Sequence, residues 1–315
     1  MFAAQPPAKL NLTLEVGPRG DDGYHPLRSV FLRIGLADRL RVAPATEADR
    51  DRLDVAGLPG CPVEGNLVLR AFELLRDAVG QPLPPLAAQL EKRIPIGAGL
   101  AGGSSDAAAA LDLAAACWGV GLSPRERARL AMALGSDVAF FVADCPAALV
   151  EGRGERVTVL PGFADDAGVL LAVFDEPLST AAVFARLDKR AASGLSAAAD
   201  KADRSVTDDL AAALAAGLAG DAVDRWLGRL AGANDLWPAA AELVPSLVPA
   251  RRALEAATSR PWLMTGSGTT LFTLYSSPGA AEVAGRRLAR RSTGVEFAFS
   301  LLATGTDVAS PSWRE

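Results

Sequence analysis

The 315-residue chain is 50% hydrophobic and 22% charged, which is the composition of a folded protein and not of a disordered or fibrous one. Its formal net charge is −5 and no block of basic residues occurs, which argues against a nucleic acid or an anionic membrane surface as a partner. At this length we expect two domains. No apolar run reaches the ~20 residues that cross a bilayer.

Cysteine and histidine are scarce in this chain. Cys61, Cys117 and Cys145 are widely spaced and odd in number, which argues against a disulfide framework or a zinc site and favours a reducing compartment. Because His25 is the sole histidine, a Ser-His-Asp triad would have to use it, and a site with several histidine ligands is excluded. The first residues lack the pattern of a secretory signal, so we expect a cytoplasmic protein.

The predicted elements begin with a strand. Residues 9–16 alternate between apolar and polar side chains, which predicts a strand with one buried face. Asp22 and Gly23 predict a turn, and residues 29–34 predict the returning strand. Helices are predicted over residues 66–79, 104–118, 124–134, 181–190 and 280–291. Further strands are predicted over residues 86–96, 156–160, 169–174, 262–265, 270–275 and 295–301, with a short buried segment at 138–142.

Hairpins mixed with helices predict an α+β fold and not a regular alternation of strand and helix. The polar, glycine-rich segment EGRGE at residues 151–155 predicts the change of domain. This gives an N-terminal domain over residues 1–153 and a C-terminal domain over residues 154–315. The Ala-rich stretch 191–220 and the residues after 301 suggest no role.

Residues 95–106 read PIGAGLAGGSSD and lead from a predicted strand into a predicted helix. Glycine lets the backbone approach a ligand closely, and the amides of such a loop and helix start can converge on an anion. The segment therefore predicts a phosphate-binding loop; the alternative is a close-packed turn without a ligand. The candidate residues are Pro95, Ile96, Gly97, Ala98, Gly99, Leu100, Ala101, Gly102, Gly103, Ser104 and Ser105.

Two familiar glycine motifs do not account for this loop. Residues 97–102 match the pattern GxGxxG, but no acidic residue follows about 20 positions later, where a dinucleotide site requires one. The P-loop pattern fails because no lysine precedes Ser104.

Two charged residues are candidates for catalysis. Lys9 lies with Asn11 on the polar face of the first strand, where an ammonium could stabilise a phosphoryl group; a solvated strand face is the more common interpretation. Asp137 follows a predicted helix end and precedes an apolar run, which could place its carboxylate at a cleft edge. A simple cap or turn aspartate is the more common interpretation there.

Aromatic residues could bind a flat ring. Tyr24 and His25 lie at the end of a predicted hairpin, and Phe184 could supply a second ring face, although a turn aromatic and a core phenylalanine are more common. The hydroxyl-rich segment 265–270 could form a second wall beside phosphates, or it could be a plain hairpin loop.

Together these segments resemble the GHMP kinase superfamily. The resemblance is carried by AKLNL at residues 8–12, DGYH at 22–25, PIGAGLAGGSSDAA at 95–108, LGSDV at 134–138 and MTGSGTTLF at 264–272. It implies an ATP-dependent small-molecule kinase with an N-terminal domain like ribosomal protein S5 domain 2 and a ferredoxin-like C-terminal domain. The pattern is most similar to members that phosphorylate a cytidyl-linked methylerythritol, and kinases of homoserine, mevalonate or a sugar are the alternative.

The resemblance also implies roles for single residues. Lys9 and Asp137 match the catalytic pair. Residues 95–105, together with Asn66 and Lys92, match positions that hold the nucleotide. The implied substrate residues are Tyr24, His25 and Phe184 for the cytosine, with Asn11 and Thr180 near the methylerythritol part.

Mg²⁺ is expected with ATP, and Ser104 or Ser105 could help to hold it, but no carboxylate partner stands out, so the metal ligands are unknown. The expected partners are the cytidyl substrate and ATP, without nucleic acid or membrane, and the chain is expected to be a monomer or a homodimer. A dinucleotide-dependent oxidoreductase would need an acidic ribose contact, and a non-catalytic sensor would not need both Lys9 and Asp137.

Overall fold

The computed structural model describes residues 1–45, 48–176, 178–195, 205–291 and 299–306. Its strands are β1 (Phe2–Ala4), β2 (Pro7–Asn11), β3 (Glu15–Val16), β4 (Leu27–Ala37), β5 (Arg39–Pro44), β6 (Arg52–Gly57), β7 (Leu86–Lys92), β8 (Ala147–Gly152), β9 (Arg156–Leu160), β10 (Gly168–Phe174), β11 (Leu263–Met264), β12 (Leu271–Tyr275) and β13 (Phe299–Gly305). Its helices are α1 (Leu67–Val79), α2 (Gly102–Trp118), α3 (Pro124–Leu134), α4 (Val138–Val142), α5 (Thr180–Ala192), α6 (Val206–Ala215), α7 (Val223–Leu230), α8 (Trp237–Leu243), α9 (Leu247–Thr258) and α10 (Pro278–Arg291). Within the described ranges, no helix has the length and apolarity needed to pass through a bilayer.

The strands form three sheets. The first has the order β1-β5-β7-β6, and its β6 and β7 run parallel while its other pairs are antiparallel. The second has the order β2-β4-β8-β9 with β3 paired to β4, and the third has the order β11-β12-β10-β13. Both of these are antiparallel. Antiparallel sheets mixed with helices confirm the predicted α+β class.

Local capping explains where two helices of the first half begin and end. Asn66 caps α1 by accepting a hydrogen bond from the amide of Val68 at 3.0 Å, and Gly80 ends this helix with a φ of +69°. Ser123 and Glu126 form a reciprocal capping box at the start of α3. Both helices therefore have the bounds that the sequence predicts, to within one residue.

The second and third sheets share one hydrophobic core. Leu10 and Leu32 of the second sheet pack in the same buried cluster as Leu171 and Phe272 of the third, together with Leu100 of the glycine-rich loop. Strand β2 consequently lies at the junction of the two halves of the chain. Its polar residues are therefore enclosed instead of facing solvent.

The predicted domain boundary at residues 153 and 154 falls in the turn between β8 and β9. These strands pair from Ala147 opposite Leu160 to Glu151 opposite Arg156. Residues on both sides of the boundary thus belong to the second sheet, and the division into two domains stays a prediction.

The first predicted strand differs from the structure in two respects. It is interrupted after Asn11, so that β2 and β3 replace one continuous strand. Its polar face is buried as well as its apolar face, because Thr13 is 1% exposed and accepts a hydrogen bond from the amide of Val30 at 3.0 Å. The prediction of a half-buried strand is therefore wrong, because alternation does not reveal what covers the polar face.

Several other elements extend or correct the predictions. Helix α2 begins at Gly102, two residues earlier than predicted, and the short buried segment at 138–142 is helix α4. Strands β1, β5, β6 and β8 and helices α7, α8 and α9 lie where no element was predicted. Parts of three predictions, at residues 196–204 of the Ala-rich stretch, 295–298 of the last strand and 307–315 of the tail, lie outside the described residues.

Candidate active site

A cleft of about 640 Å³ lies where the glycine-rich loop, strand β2 and the loop after β11 meet. It gathers residues from both halves of the chain. Of the residues predicted for the site, it is lined by Lys9, Asn11, Asn66, Lys92, Pro95, Ile96, Gly97, Ala98, Gly99, Ala101, Gly102, Gly103, Ser104, Asp137, Thr180 and Phe184. The structure places Leu100, Ser105, Tyr24 and His25 elsewhere, as described below.

The glycine-rich loop turns sharply between β7 and α2. Gly97 and Gly99 have φ angles of +69° and +75°, which glycine adopts without strain. A Cβ atom at position 99 would lie 2.6 Å from the carbonyl oxygen of Thr265. Glycine is therefore required where this loop crosses the loop at residues 265–270. The side chain of Leu100 points into the shared core instead of the cleft.

The start of helix α2 presents free amides to the cleft. Ala101 precedes the helix with a left-handed φ of 56°, and the amide of Ser105 donates to the carbonyl of Ala101 at 3.1 Å. The amides of Gly102, Gly103 and Ser104 come before that bond and have no acceptor within the helix. Because these three residues line the cleft, their amides and the positive end of the helix dipole form a site suited to an anion.

The two serines of this helix start face different spaces. Ser104 lines the cleft. Ser105 is 1% exposed and lines a separate cavity of about 210 Å³, and its hydroxyl has no hydrogen-bond partner among the described residues. The geometry therefore offers the hydroxyl of Ser104, and not that of Ser105, to a ligand in the cleft.

Lys9 is buried beside three oxygen atoms. Its ammonium lies 2.6 Å from Asn11 Oδ1, 3.3 Å from the carbonyl oxygen of Gly99 and 3.4 Å from Asp137 Oδ2. The ring centroid of Phe31 lies 4.8 Å from the same nitrogen. Lys9 is only 3% exposed, so the interpretation of an ordinary solvated strand face is wrong.

Asp137 lies at the start of helix α4. In the described structure its side chain makes no capping hydrogen bond, so the interpretation of a simple helix cap is wrong. The side chain is 32% exposed, whereas that of Lys9 is 4% exposed. A carboxylate that reaches the cleft beside a buried ammonium can accept a hydrogen bond from an alcohol.

Asn11 joins the first strand to its neighbours. Its side-chain nitrogen donates to Ser29 Oγ at 2.9 Å, and its backbone amide donates to Thr265 Oγ1 at the same distance. With its side-chain oxygen held by Lys9, Asn11 fixes the ammonium in relation to both glycine-rich loops. Because both polar atoms of the Asn11 side chain already have partners, a substrate would have to bind to the part of this side-chain amide that faces the cleft.

Asn234, which the sequence did not suggest, holds the loop at residues 265–270. Its side-chain nitrogen donates to the carbonyl oxygens of Met264 at 2.8 Å and Gly266 at 3.0 Å, while its oxygen accepts from the amide of Leu236 at 2.9 Å. These bonds fix the backbone on both sides of Thr265. This loop is therefore more than a plain hairpin connection, since it packs against the glycine-rich loop at the cleft.

Helix α5 closes the other side of the cleft. Thr180 Oγ1 lies 2.9 Å from Ser267 Oγ, and both residues line the cleft. Phe184, one turn later, also lines it and lies 5.3 Å from the ring of His25, with an angle of 33° between the planes. Phe184 is thus half-buried: it lines the cleft and also packs against the hydrophobic core around the third sheet.

His25 is held by contacts at both ring nitrogens. Nδ1 lies 2.9 Å from the carbonyl oxygen of Gly17, and Nε2 lies 3.0 Å from Asp188 Oδ1, although that pair is not aligned as a hydrogen bond. Asp188 lies two turns from Thr180 on helix α5. It is a second residue that the sequence did not suggest.

Tyr24 lies at the surface in this structure. It is 59% exposed, and the guanidinium of Arg153 lies 4.1 Å from the centroid of its ring. Tyr24 is not among the described residues that line the cleft. A direct contact of this ring with a bound base would therefore require the hairpin end to move.

Asn66 and Cys61 form one wall of the cleft. Asn66 donates to the carbonyl of Pro62 at 2.8 Å in addition to capping α1, and it lies 3.5 Å from Cys61 Sγ. Burial raises the pKa of the Cys61 thiol. This wall therefore presents a neutral surface beside the phosphate-binding loop.

The ammonium of Lys92 is held beneath the glycine-rich loop by Asp38 and Asp106. Lys92 is 4% exposed, and its Nζ lies 2.8 Å from Asp106 Oδ2 and in hydrogen-bond contact with Asp38 Oδ2. Burial, reinforced by the charge of Asp38 and only partly offset by Lys92, raises the pKa of Asp106 to about 7. Burial alone would lower the pKa of Lys92, but the two carboxylates raise it.

The residues missed at the sequence level are Asp38, Asp188 and Asn234. Asp38 stands between two strands with buried residues, and a charge at such a position could have marked it. Asp188 and Asn234 act through residues distant in sequence, and no local pattern distinguishes them.

Oxygen ligands for a divalent cation are few in the cleft. Among the described residues there is no group of three or more His, Cys, Asp or Glu side chains that could hold a metal ion. The Asp137 carboxylate and the Ser104 hydroxyl do line the cleft. Mg²⁺ commonly takes one or two protein oxygens and completes its shell with phosphates and water, so the few oxygens of this cleft are compatible with it.

Comparison with known proteins gives matches along most of the chain. Residues 66–151 match the GHMP kinases N terminal domain, and residues 211–292 match the GHMP kinases C terminal domain. A 4-diphosphocytidyl-2-C-methyl-D-erythritol kinase of Streptomyces coelicolor is 38% identical over 281 residues, which are 89% of each chain. A kinase of the same name from Kineococcus radiotolerans is 40% identical over 91% of this chain and 84% of its own.

Solved structures agree with these relatives. A crystal structure of 4-(cytidine 5′-diphospho)-2C-methyl-D-erythritol kinase is similar with a TM-score of 0.71 at 30% identity, covering 96% of this chain and 98% of the other. A homoserine kinase from Cytophaga hutchinsonii has a TM-score of 0.68 at 16% identity, covering 99% and 96%, and shows the shared fold alone. The chain therefore belongs to the GHMP kinases, among the 4-diphosphocytidyl-2-C-methyl-D-erythritol kinases, and is an ATP-dependent small-molecule kinase.

Proposed function

We propose that this enzyme transfers the γ-phosphoryl group of ATP to the 2-hydroxyl of 4-diphosphocytidyl-2-C-methyl-D-erythritol, a step of the non-mevalonate route to isoprenoid precursors. The observation that carries the proposal is the Lys9–Asp137 pair, 3.4 Å apart, in the same cleft as the free amides of helix α2. This arrangement supplies an acceptor for an alcohol proton beside a cradle for phosphates.

Phosphoryl transfer proceeds through a loose transition state, so catalysis consists mainly of positioning and charge stabilisation. A carboxylate is too weak a base to remove the proton of an alcohol before attack. Asp137 instead orients the hydroxyl and accepts its proton late in the transfer. Lys9 stabilises the negative charge that develops on the substrate oxygen and on the transferred phosphoryl group during the transfer.

The nucleotide is proposed to bind by its phosphates at residues 95–104, with the amides of Gly102, Gly103 and Ser104 as donors. Asn66 lies on the adjacent wall, where it can contact the rest of the nucleotide. The Ser104 hydroxyl would help to hold Mg²⁺, which would neutralise phosphate charge when it is bound. Lys92 supports this site from below instead of reaching the nucleotide with a free ammonium, because two carboxylates occupy that ammonium.

The cytidyl group is proposed to bind beside Phe184, which lines the cleft, and the ring of His25 that packs against it. Stacking on such rings is tolerant of small shifts and suits a flat base. Tyr24 would join them if the hairpin end closes on the substrate. Asn11 and Thr180 line the same cleft as Asp137, and they are proposed to contact the alcohol part of the substrate.

The nearest alternative is a GHMP kinase of homoserine, mevalonate or a sugar. These substrates have no base to stack, so they would leave the His25–Phe184 pair without a role. We also propose that the enzyme acts in the cytoplasm as a monomer or homodimer. Its three cysteines are free thiols, which supports a reducing compartment.

A substrate panel tests the proposal. Purified enzyme with Mg-ATP is offered the cytidyl substrate, homoserine, mevalonate and galactose, and ADP release is measured together with the position of the new phosphate by ³¹P NMR. Turnover of the cytidyl substrate with phosphate at its 2-hydroxyl is expected. Preferential phosphorylation of any other alcohol, or of another hydroxyl, would overturn the assignment.

A further inference from the structure

Asp38 is a fully buried charge that lies outside the cleft. It is the single residue between β4 and β5, is 0% exposed, and its amide donates to the carbonyl of Pro6 at 3.0 Å. A buried carboxylate is stable only when its oxygens accept several hydrogen bonds. The partners of this carboxylate therefore indicate what it holds in place.

Among the described residues, the donors to the Asp38 carboxylate are three consecutive residues that lead into the glycine-rich loop. Oδ1 accepts from the backbone amides of Arg93 at 2.5 Å and Ile94 at 2.8 Å, and Oδ2 accepts from the ammonium of Lys92. Pro95, the first residue of the loop, follows directly. One side chain thus fixes the corner where strand β7 turns into the loop.

The same cluster reaches the other end of the loop. Lys92 Nζ donates to Asp106 Oδ2 on helix α2 at 2.8 Å. A Cβ atom added at Gly102 would lie 3.2 Å from Lys92 Nζ and 2.9 Å from Ile94 Cγ2, so the ammonium packs directly beneath the start of the helix. The loop is therefore tied at both ends to one buried group of charges.

We propose that Asp38 is a positioning residue for nucleotide binding: it fixes residues 92–94 and, through Lys92 and Asp106, the start of helix α2 in the arrangement that receives the triphosphate. The inference rests on the proposed function of the glycine-rich loop. Asp38 contacts neither the nucleotide nor the alcohol. It acts by keeping the loop amides directed at one point before the ligand arrives.

The charge of Asp38 and its proposed positioning role predict opposite effects on nucleotide binding when this side chain is removed. With both acids ionised, the cluster of two carboxylates and one ammonium has a net charge of −1. Removing the charge of Asp38 leaves the Lys92–Asp106 pair neutral, which by electrostatics alone favours a polyanion at the helix start. If Asp38 instead positions the loop, its removal weakens nucleotide binding despite this gain.

The test compares Asp38→Ala with Asp38→Asn by isothermal titration of a non-hydrolysable ATP analogue and of the cytidyl substrate. We expect Asp38→Ala to weaken binding of the analogue ~10- to 100-fold, because a slight misplacement of binding groups costs this much. The affinity for the cytidyl substrate should change by less than about twofold. Asp38→Asn should restore part of the affinity, since its amide oxygen can still accept from residues 93 and 94.

Hydrogen exchange of the ligand-free enzyme supplies an independent measurement. The amides of residues 97–103 should exchange faster in Asp38→Ala than in the wild type. Asp112→Ala is the matched control, because Asp112 lies on the same helix α2 and forms its own ion pair with Arg127. Arg127 Nη2 donates to Asp112 Oδ1 at 2.7 Å and to Oδ2 at 2.6 Å. This control should alter neither exchange in the loop nor nucleotide affinity.

Unchanged or tighter binding of the analogue by Asp38→Ala would overturn the inference, and so would an equal loss of affinity for the analogue and the cytidyl substrate. If Asp38→Ala does not fold, the same comparisons are made with Asp38→Asn, for which weaker analogue binding and faster loop exchange are still expected. A wild-type enzyme that binds no ATP analogue would overturn the proposed function itself. If the wild type binds the analogue but Asp38→Ala leaves the hydrogen exchange of residues 97–103 unchanged, only the role of Asp38 is refuted.

Discussion

The ammonium of Lys9 lies 3.4 Å from the carboxylate of Asp137, and one partner is enclosed while the other is partly open to the cleft. The buried charge is held by Asn11 and Gly99 as well, so it does not depend on Asp137 alone. The more exposed carboxylate is consequently the partner that can exchange contacts with a substrate during turnover. This asymmetry supports the proposed division of roles, in which Asp137 accepts the proton and Lys9 stabilises charge.

Asp137→Asn should lower kcat by roughly a thousandfold, because an amide cannot accept the hydroxyl proton. The change should leave the fold and the affinity for an ATP analogue nearly intact, since Lys9 keeps its other oxygen partners. Steady-state kinetics and titration of the analogue test this. Asp144→Asn, just beyond the other end of α4, is the control and should retain full activity. Full activity of Asp137→Asn would remove this residue from the mechanism.

Phe184→Ala should raise KM for the cytidyl substrate by an amount equivalent to about 1–3 kcal/mol, the usual contribution of one aromatic ring stacked on a base. KM for ATP should not change, because Phe184 lies on helix α5 and not on the phosphate-binding loop. Phe163→Ala, which removes a ring that packs against the shared core and does not line the cleft, should lower stability without this selectivity. Equal effects on both substrates would contradict the division of the cleft.

Asn234→Leu should destabilise the enzyme by ~1–3 kcal/mol and lower kcat/KM, because the carbonyls of Met264 and Gly266 lose their donor. Urea unfolding and kinetics measure the two effects. Asn234→Asp provides the sharper comparison: it keeps the shape and the acceptor for Leu236 but replaces the donor by an acceptor. If Asn234→Asp behaves like the wild type, the two donated hydrogen bonds are unimportant.

Asp106 should make stability depend on pH. Its folded-state pKa, about 7, lies above the ordinary value of 3.8, so the stability from the buried neutral acid is complete below pH 3.8 and is lost as the pH rises through 7. The unfolding free energy of Asp106→Asn relative to the wild type should therefore rise by up to ~1.4 kcal/mol per pH unit in this window. Urea unfolding at pH 5, 6, 7 and 8 measures the difference. A difference that stays constant with pH would show that Asp106 has its ordinary pKa.

Local signals predicted much of the fold. Helix α3 has the predicted bounds because Ser123, Pro124 and Glu126 define its start through contacts within one turn. Helix α2 begins earlier than predicted because Gly102 and Gly103 adopt helical geometry, although glycine is a poor helix former. Strand β6 was missed because it lies at a sheet edge, where Arg52 and Asp54 are exposed and apolar alternation is weak.

Contacts between distant residues limited prediction of the site. The resemblance identified Lys9, Asn11 and Asp137, and the structure brings them together. No pattern around Asn234 indicates the loop it holds, because the carbonyls it binds lie about 30 residues later. The burial of Lys9 was not predictable either, since the groups beside its ammonium, Gly99 and Asp137, lie about 90 or more positions later in the sequence.

The hydrogen bond from the amide of Asn11 to the hydroxyl of Thr265 spans 254 positions of sequence. During translation, strand β2 and the glycine-rich loop leave the ribosome long before Thr265 is synthesised. In a nascent N-terminal half the amide of Asn11 therefore lacks this acceptor until the last quarter of the chain is made. Catalytic competence should thus appear only near completion of synthesis, and premature termination should yield an inactive product prone to chaperone capture.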